Sequence, residues 1–183
     1  TQGVANSIDQ FFITDNGRNY MFWGSFHGIY GIELSEDGLS IKPGAEKVQI
    51  AGRQMEGTYI HKRGKYYYLF GSAGTCCEKL KSTYRVIYGR SENLFGPYVT
   101  KDGRRMLDGA YETMLSGNNF FAGPGHNAEL ITDDEGNDWM LYHAFEKKDP
   151  DNGRQVLLDR IQWANDWPFV QGAGPSFLNE APV

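Results

Sequence analysis

Apolar and polar residues alternate in short runs along this chain, and the runs come in sets broken by glycine-containing turns. The first set starts at Phe11-Phe12-Ile13, turns at Asp15-Asn16-Gly17 and returns as Tyr20-Met21-Phe22-Trp23. It continues through Ile29-Tyr30-Gly31-Ile32-Glu33-Leu34 to a Ser-Glu-Asp-Gly turn. The second opens on Glu56-Gly57-Thr58-Tyr59-Ile60, turns at Arg63-Gly64-Lys65 and returns through Tyr66-Tyr67-Tyr68-Leu69-Phe70. After a cysteine-bearing loop it resumes at Thr83-Tyr84-Arg85-Val86-Ile87-Tyr88. The third runs from Gly125-His126-Asn127-Ala128-Glu129-Leu130-Ile131 through a Glu135-Gly136-Asn137 turn to Trp139-Met140-Leu141-Tyr142-His143, then Val156 to Trp163. Asn-Gly and Gly-Lys between such runs are hairpin chemistry. No stretch sustains an apolar helical period, so the sequence predicts an all-β fold.

A repeated unit of about four strands is the signature of a β-propeller blade. The pattern predicts blades over 1–52, 53–105 and 124–183, with 106–123 as a rim loop that has no clear strand. Three blades fall short of the roughly four to eight that close a ring. The remaining blades are therefore expected from another chain or region, or from self-association. The polar residues leading the three units are Asp9, Glu56 and His126. In a propeller the innermost strand of each blade lines the central channel, which predicts that these three converge on one axial pocket.

Composition agrees and narrows the partners. Aromatics at 14% and 23 glycines among 183 residues favour many short strands with tight turns. A net charge of -5 argues against nucleic acid, which needs a basic face. No apolar run is long enough to span a bilayer as a helix. The chain starts Thr1-Gln2-Gly3-Val4 without an initiator methionine and is expected to be a piece of something longer. Cys76 and Cys77 are adjacent, so they form either a vicinal disulfide or two thiols, and no zinc-ligand spacing surrounds them. They lie on the loop after the second aromatic strand, where the pocket rim is expected, and are candidate sugar contacts. Asp149-Pro150-Asp151-Asn152-Gly153 begins like an EF-hand loop but reaches Arg160 at the twelfth position instead of glutamate.

Carboxylates from different blades facing one cavity suit glycoside hydrolysis. One acid protonates the leaving oxygen while another activates water or supports the oxocarbenium-like transition state. The motifs around these residues carry a resemblance. Asn6-Ser7-Ile8-Asp9-Gln10, Glu56-Gly57-Thr58-Tyr59-Ile60, Gly123-Pro124-Gly125-His126-Asn127 and Gly24-Ser25-Phe26 before Gly28-Ile29, with Asp166-Trp167-Pro168, resemble glycoside hydrolase family 43. The likeness is strongest to its endo-α-1,5-L-arabinanase branch, and Gln10 stands where the family usually has proline.

The resemblance implies a five-bladed propeller and an inverting hydrolase of α-1,5-linked L-arabinan, secreted or periplasmic. It makes Glu56 the general acid and Asp9 the residue that orients it and modulates its pKa. Asn6, Ser25, Phe26 and Gly57 become substrate-binding positions. His126 would help hold a metal ion, expected to be calcium and coordinated mostly by water. The family's general base is an aspartate on the first blade, and Thr1 to Asn6 contains no acid. That base is expected from blades absent here, so the chain alone is an incomplete glycosidase. Two alternatives remain open: a non-catalytic carbohydrate-binding propeller fragment, and an exo-acting arabinofuranosidase or xylosidase.

Overall fold

The computed structural model describes residues 2–179 and 181–183. Strands β1 (Phe11–Asp15), β2 (Arg18–Trp23), β3 (Ile29–Glu33) and β4 (Val48–Ala51) form one sheet in that order. A second sheet follows with β5 (Glu56–Arg63), β6 (Tyr66–Ala73), β7 (Arg85–Ser91) and β8 (Glu112–Leu115), again in sequence order. The third contains β9 (Phe121–Gly125), β10 (Leu130–Thr132), β11 (Asp138–Glu146), β12 (Arg154–Ala164) and β13 (Trp167–Phe169). Here β10, β11, β12 and β13 lie in order, and β9 also pairs with β11. Among the described residues there is no α-helix, only single 3-10 turns such as Lys79–Lys81 and Pro150–Asn152.

The hairpins follow from local chemistry. Asp15 pairs with Arg18, leaving Asn16 and Gly17 as a two-residue loop with φ of +49° and +73°. A loop with both central residues at positive φ matches the right-handed strand twist, and Asn-Gly adopts it readily. Ala164 pairs with Trp167 around Asn165 and Asp166, at +51° and +59°, by the same device.

The expectation of a strandless rim loop over 106–123 is corrected. That segment holds a 3-10 turn at Met106–Asp108, then β8, then the first residues of β9. Four residues with two buried apolar side chains, Met114 and Leu115, are too short a pattern to register as a strand in sequence. The glycines and proline of Phe121-Ala122-Gly123-Pro124-Gly125 hide β9 in the same way, although all five residues are buried.

The chain divides into two compact units, Thr1–Phe70 with Tyr88–Glu112, and Gly71–Ile87 with Thr113–Val183. Within the first, aromatic rings carry the packing. Phe11 meets Tyr59 edge-on at 5.2 Å, Tyr59 stacks on Phe70, and Phe70 lies 5.5 Å from Tyr88. Asp15 is 8% exposed and tolerates burial because Lys62 pairs with it while Tyr67 Oη donates to it at 2.8 Å. In the second unit, buried Asp159 accepts the Tyr142 hydroxyl and the Ser176 backbone N–H.

The β10–β11 turn is organised by Asp133. Its carboxylate accepts the Trp139 indole N–H at 2.7 Å, the Asn137 backbone N–H at 2.8 Å and the Glu135 N–H at 3.1 Å. Burial works to raise its pKa, but these donors together outweigh it and hold the carboxyl at about 2. The folded-state value lies below the unfolded one, so its stabilisation is complete above about pH 4 and is lost as pH falls toward 2. In acid unfolding followed by circular dichroism, Asp133→Asn is expected to flatten the stability profile between about pH 5 and 2. A profile with unchanged slope would remove Asp133 as the cause.

Candidate active site

The first unit gathers six of the residues singled out by sequence. Glu56 is the first residue of β5 and is half-buried. Ser25 Oγ donates to Glu56 Oε2 at 2.8 Å, and Ser25 itself is buried. Asn6 Nδ2 donates to the Ser25 carbonyl at 3.2 Å, holding that turn from its other side. The Gly57 N–H donates to Asp9 Oδ2 at 3.0 Å. The acid is thus held twice, at its side chain by Ser25 and at the next peptide by Asp9. Phe26 N–H donates to the Met55 carbonyl at 2.9 Å, so the 24–28 turn and the start of β5 are laced together on both sides of Glu56.

This cluster is built on backbone that side chains usually avoid. Asn6, Asp9 and Phe26 have φ of +51°, +57° and +51°, and Gly57 has +67°. Asn and Asp visit this region with modest cost, but a bulky residue such as Phe26 is a true outlier there. Strain on the order of 1–3 kcal/mol at such a residue persists only where neighbours impose it, and it concentrates at functional sites. The Phe26–Met55 hydrogen bond is such an imposing contact.

His126 and the cysteine pair belong to the second unit. His126 stands in the break between β9 and β10, both of which pair with β11, and also has positive φ at +50°. Its N–H donates to the buried Ser72 Oγ at 2.7 Å. Its imidazole is exposed, with Nδ1 3.4 Å from Tyr84 Oη and its ring stacked near His143 at 6.4 Å. Cys76 and Cys77 are joined in a vicinal disulfide, which decides between the two states left open by the sequence. Arg154 Nη1 lies 3.9 Å from Cys77 Sγ and 3.3 Å from His143 Nε2.

In the first unit Asp9 and Glu56 meet through Gly57; in the second, His126 is contacted by Ser72, Tyr84 and His143. Sequence reasoning missed these last three and Arg154. No local sequence pattern marks them; the close approach of Tyr84 to Gly125, where an added Cβ would fall 2.1 Å from the ring, appears only in the structure. Depressions lined by Trp139, Asp159, Arg160 and Asn179, and by Asn16, Glu33 and Lys42, contain none of the singled-out residues. Among the described residues no three His, Cys, Asp or Glu side chains gather in a metal-holding group. Calcium takes six to eight oxygen ligands. Among the described residues, His, Cys, Asp and Glu side chains thus do not by themselves make a calcium site, and an ion beside His126 would draw on other oxygen donors, water among them.

A family model described as glycosyl hydrolases family 43 matches residues 1–168. An extracellular exo-α-(1→5)-L-arabinofuranosidase of Cellvibrio japonicus is 34% identical, over 90% of this chain and 52% of that protein. An extracellular endo-α-(1→5)-L-arabinanase of Bacillus subtilis is also 34% identical, over 89% of this chain and 50% of its own length. The chain spans about half the length of these curated relatives. Among solved structures, a Cellvibrio cellulosa α-L-arabinanase complexed with arabinohexaose superposes with a TM-score of 0.81. It is 34% identical, covering 87% of this chain and 55% of that one. An endo-arabinanase of Bacillus licheniformis gives 0.78 at 30% identity, covering 88% and 56%. These likenesses carry the propeller-type, four-stranded-blade fold expected from the sequence.

The turn holding Ser25 depends on Gly24, whose φ is +130° and where a Cβ would lie 2.1 Å from the Gly28 carbonyl oxygen. Gly44 also has positive φ, at +80°, but open space around it. In urea unfolding, Gly44→Ala is expected to cost about 1–2 kcal/mol from backbone strain alone. Gly24→Ala should cost about 1–3 kcal/mol more because it adds a backbone clash. Equal losses at the two positions would contradict the packing described.

Proposed function

The chain belongs to glycosyl hydrolase family 43, and from that premise we propose that it supplies the proton-donating part of an α-1,5-L-arabinan hydrolase. The observation that carries this reading is the placement of Glu56, whose carboxyl accepts from Ser25 Oγ while the N–H of the next residue, Gly57, donates to Asp9. Glu56 gives its proton to the glycosidic oxygen as the bond to the sugar breaks, so the leaving chain departs as a neutral alcohol. Ser25 fixes the direction in which the carboxyl faces. Asp9 holds the adjoining peptide, so a small shift of β5 cannot carry the acid out of reach of the oxygen.

The water that attacks the anomeric carbon needs a base. In an inverting enzyme this is a second carboxylate on the far face of the sugar. In this reading an aspartate from blades outside this chain fills that role, reached through a chain that carries them or through association between copies. Asn6, Phe26 and Gly57 are the proposed sugar contacts around the acid, and Cys76 and Cys77 are proposed sugar contacts of the second unit. Calcium, held chiefly through water beside His126, belongs to the same proposal; it would add fixed positive charge near a neutral substrate. The extracellular names of the relatives support secretion.

Relatives of both modes are similar to this chain, so exo action is the second reading. Mid-chain cleavage of linear arabinan, seen as early oligosaccharides of mixed length, is expected for the endo mode. Release of one short product from the first minutes favours the exo mode. In the full-length protein, Glu56→Gln is expected to lower turnover of linear arabinan by at least 100-fold while leaving sugar binding intact. Hydrolysis at the parent rate would remove Glu56 as the acid, and binding without any hydrolysis by the parent protein would favour a carbohydrate-binding role.

A further inference from the structure

We propose that Tyr84, His143 and Arg154 are positioning residues for His126, forming an array that fixes which edge of its imidazole is offered to a ligand. The kinetic consequence rests on the hydrolase reading above; the geometry does not. An exposed histidine side chain ordinarily samples several rotamers, and holding it in one costs conformational entropy. At His126 that freedom is removed from several directions at once. Its backbone is locked at φ of +50° by the hydrogen bond from its N–H to Ser72 Oγ at 2.7 Å. Its Nδ1 edge is occupied by Tyr84 Oη at 3.4 Å. Its face runs nearly parallel to the His143 ring, with an interplanar angle of 22° at 6.4 Å. Tyr84 and His143 are themselves stacked, 19° apart in plane and 5.9 Å between centroids.

The array is held from below and from outside. Below, Gly125 leaves room for the Tyr84 ring directly on the backbone that leads into His126. On the sheet, His143 is the register partner of Gly125, and the β9–β11 pairing shifts just beyond it, between His143 and Phe145. Outside, Arg154 Nη1 stands 3.3 Å from His143 Nε2. A guanidinium can only donate, so in this contact His143 Nε2 accepts. Arg154 is steadied in turn by Cys77 Sγ at 3.9 Å, and the segments just beside the two are tied by Lys79 to Asp151 at 2.5 Å. With Nδ1 turned toward Tyr84, Nε2 is the edge of His126 left for a ligand. The chemistry that fits it is an O–H group, whether a sugar hydroxyl or the water of a hydrated cation.

Outer partners that orient a functional histidine typically change affinity or activity by roughly 10- to 100-fold when removed. In the full-length protein, His143→Ala and Arg154→Met are expected to lower kcat/KM on linear arabinan by roughly that factor. The loss should match His126→Ala and should not deepen when either change is combined with it. His143→Phe keeps a ring in the stack and is expected to retain more activity than His143→Ala. Independently of turnover, the side-chain nitrogen resonances of His126 should shift in His143→Ala and stay near parental values in His143→Phe. A chelator separates the two ligand sources: removal of metal abolishes the His126 contribution if the O–H belongs to a cation's water and leaves it if it belongs to sugar. Losses that multiply in the double variants, or His126 resonances indifferent to His143 and Arg154, would overturn the proposal. If neither the parent protein nor Glu56→Gln turns over arabinan, the hydrolase reading fails, and the resonances still decide the array.

Discussion

One peptide unit bears most of the constraint in the first half of the chain. The bond between Glu56 and Gly57 is gripped by Ser25 at the carboxyl and by Asp9 at the following N–H, at 2.8 and 3.0 Å. The partners come from the segment before β1 (Asp9) and from the β2–β3 turn (Ser25) of the first sheet, while Glu56 and Gly57 begin the second. The same two bonds thus place a reactive group and register one sheet against the next. The left-handed backbone at Asn6, Asp9 and Phe26 follows from this arrangement. Loops of ordinary conformation would not deliver a hydroxyl and a carboxylate to consecutive residues of one strand. The strain is tolerated because Phe26 N–H, Asn6 Nδ2 and Gly24 N–H all find backbone carbonyls in the same knot.

Burial separates the acids of this chain by role. Asp15 and Asp159 are almost fully enclosed, and each is surrounded by donors that compensate for the lost water: Lys62 and Tyr67 for the first, Tyr142 and Ser176 for the second. Such carboxylates hold structure, because a proton-transfer partner cannot approach them. Glu56 and Asp9 are only half-buried, with their positions fixed by a few short bonds. The aromatic residues sort similarly. Tyr59, Phe70 and Tyr88 pack one another inside the first unit, whereas Tyr84 turns its hydroxyl to a histidine.

What could be read in the sequence was whatever is local. Asn16-Gly17 announces its turn because two adjacent residues decide it, and Glu56-Gly57-Thr58-Tyr59 announces a strand led by an acid because the pattern is contiguous. The role of Ser25 as the donor to Glu56 was not visible, since it joins residues 31 apart through a side chain that a motif marks only as substrate-facing. Tyr84, His143 and Arg154 were less visible still: Tyr84 stands just before β7, while His143 and Arg154 sit in unremarkable strands that reach His126 only through the pairing of β11 with β9 and β12. The strands β8 and β9 escaped notice because four apolar-polar positions, or five residues rich in glycine and proline, carry too little periodicity to stand above loop composition.

The contact between Gly125 and Tyr84 has a consequence for how this sequence can change over time. An ideal Cβ at position 125 would stand 2.1 Å from one ring carbon of Tyr84 and 2.4 Å from the next. No rotation of a buried ring yields that much space. The two positions are therefore bound to drift as a pair: a side chain can appear at 125 only after the ring at 84 has shrunk, and a small residue at 84 frees 125 from being glycine. Between those two states lies a variant that fits neither, so the route through sequence space is narrow in both directions.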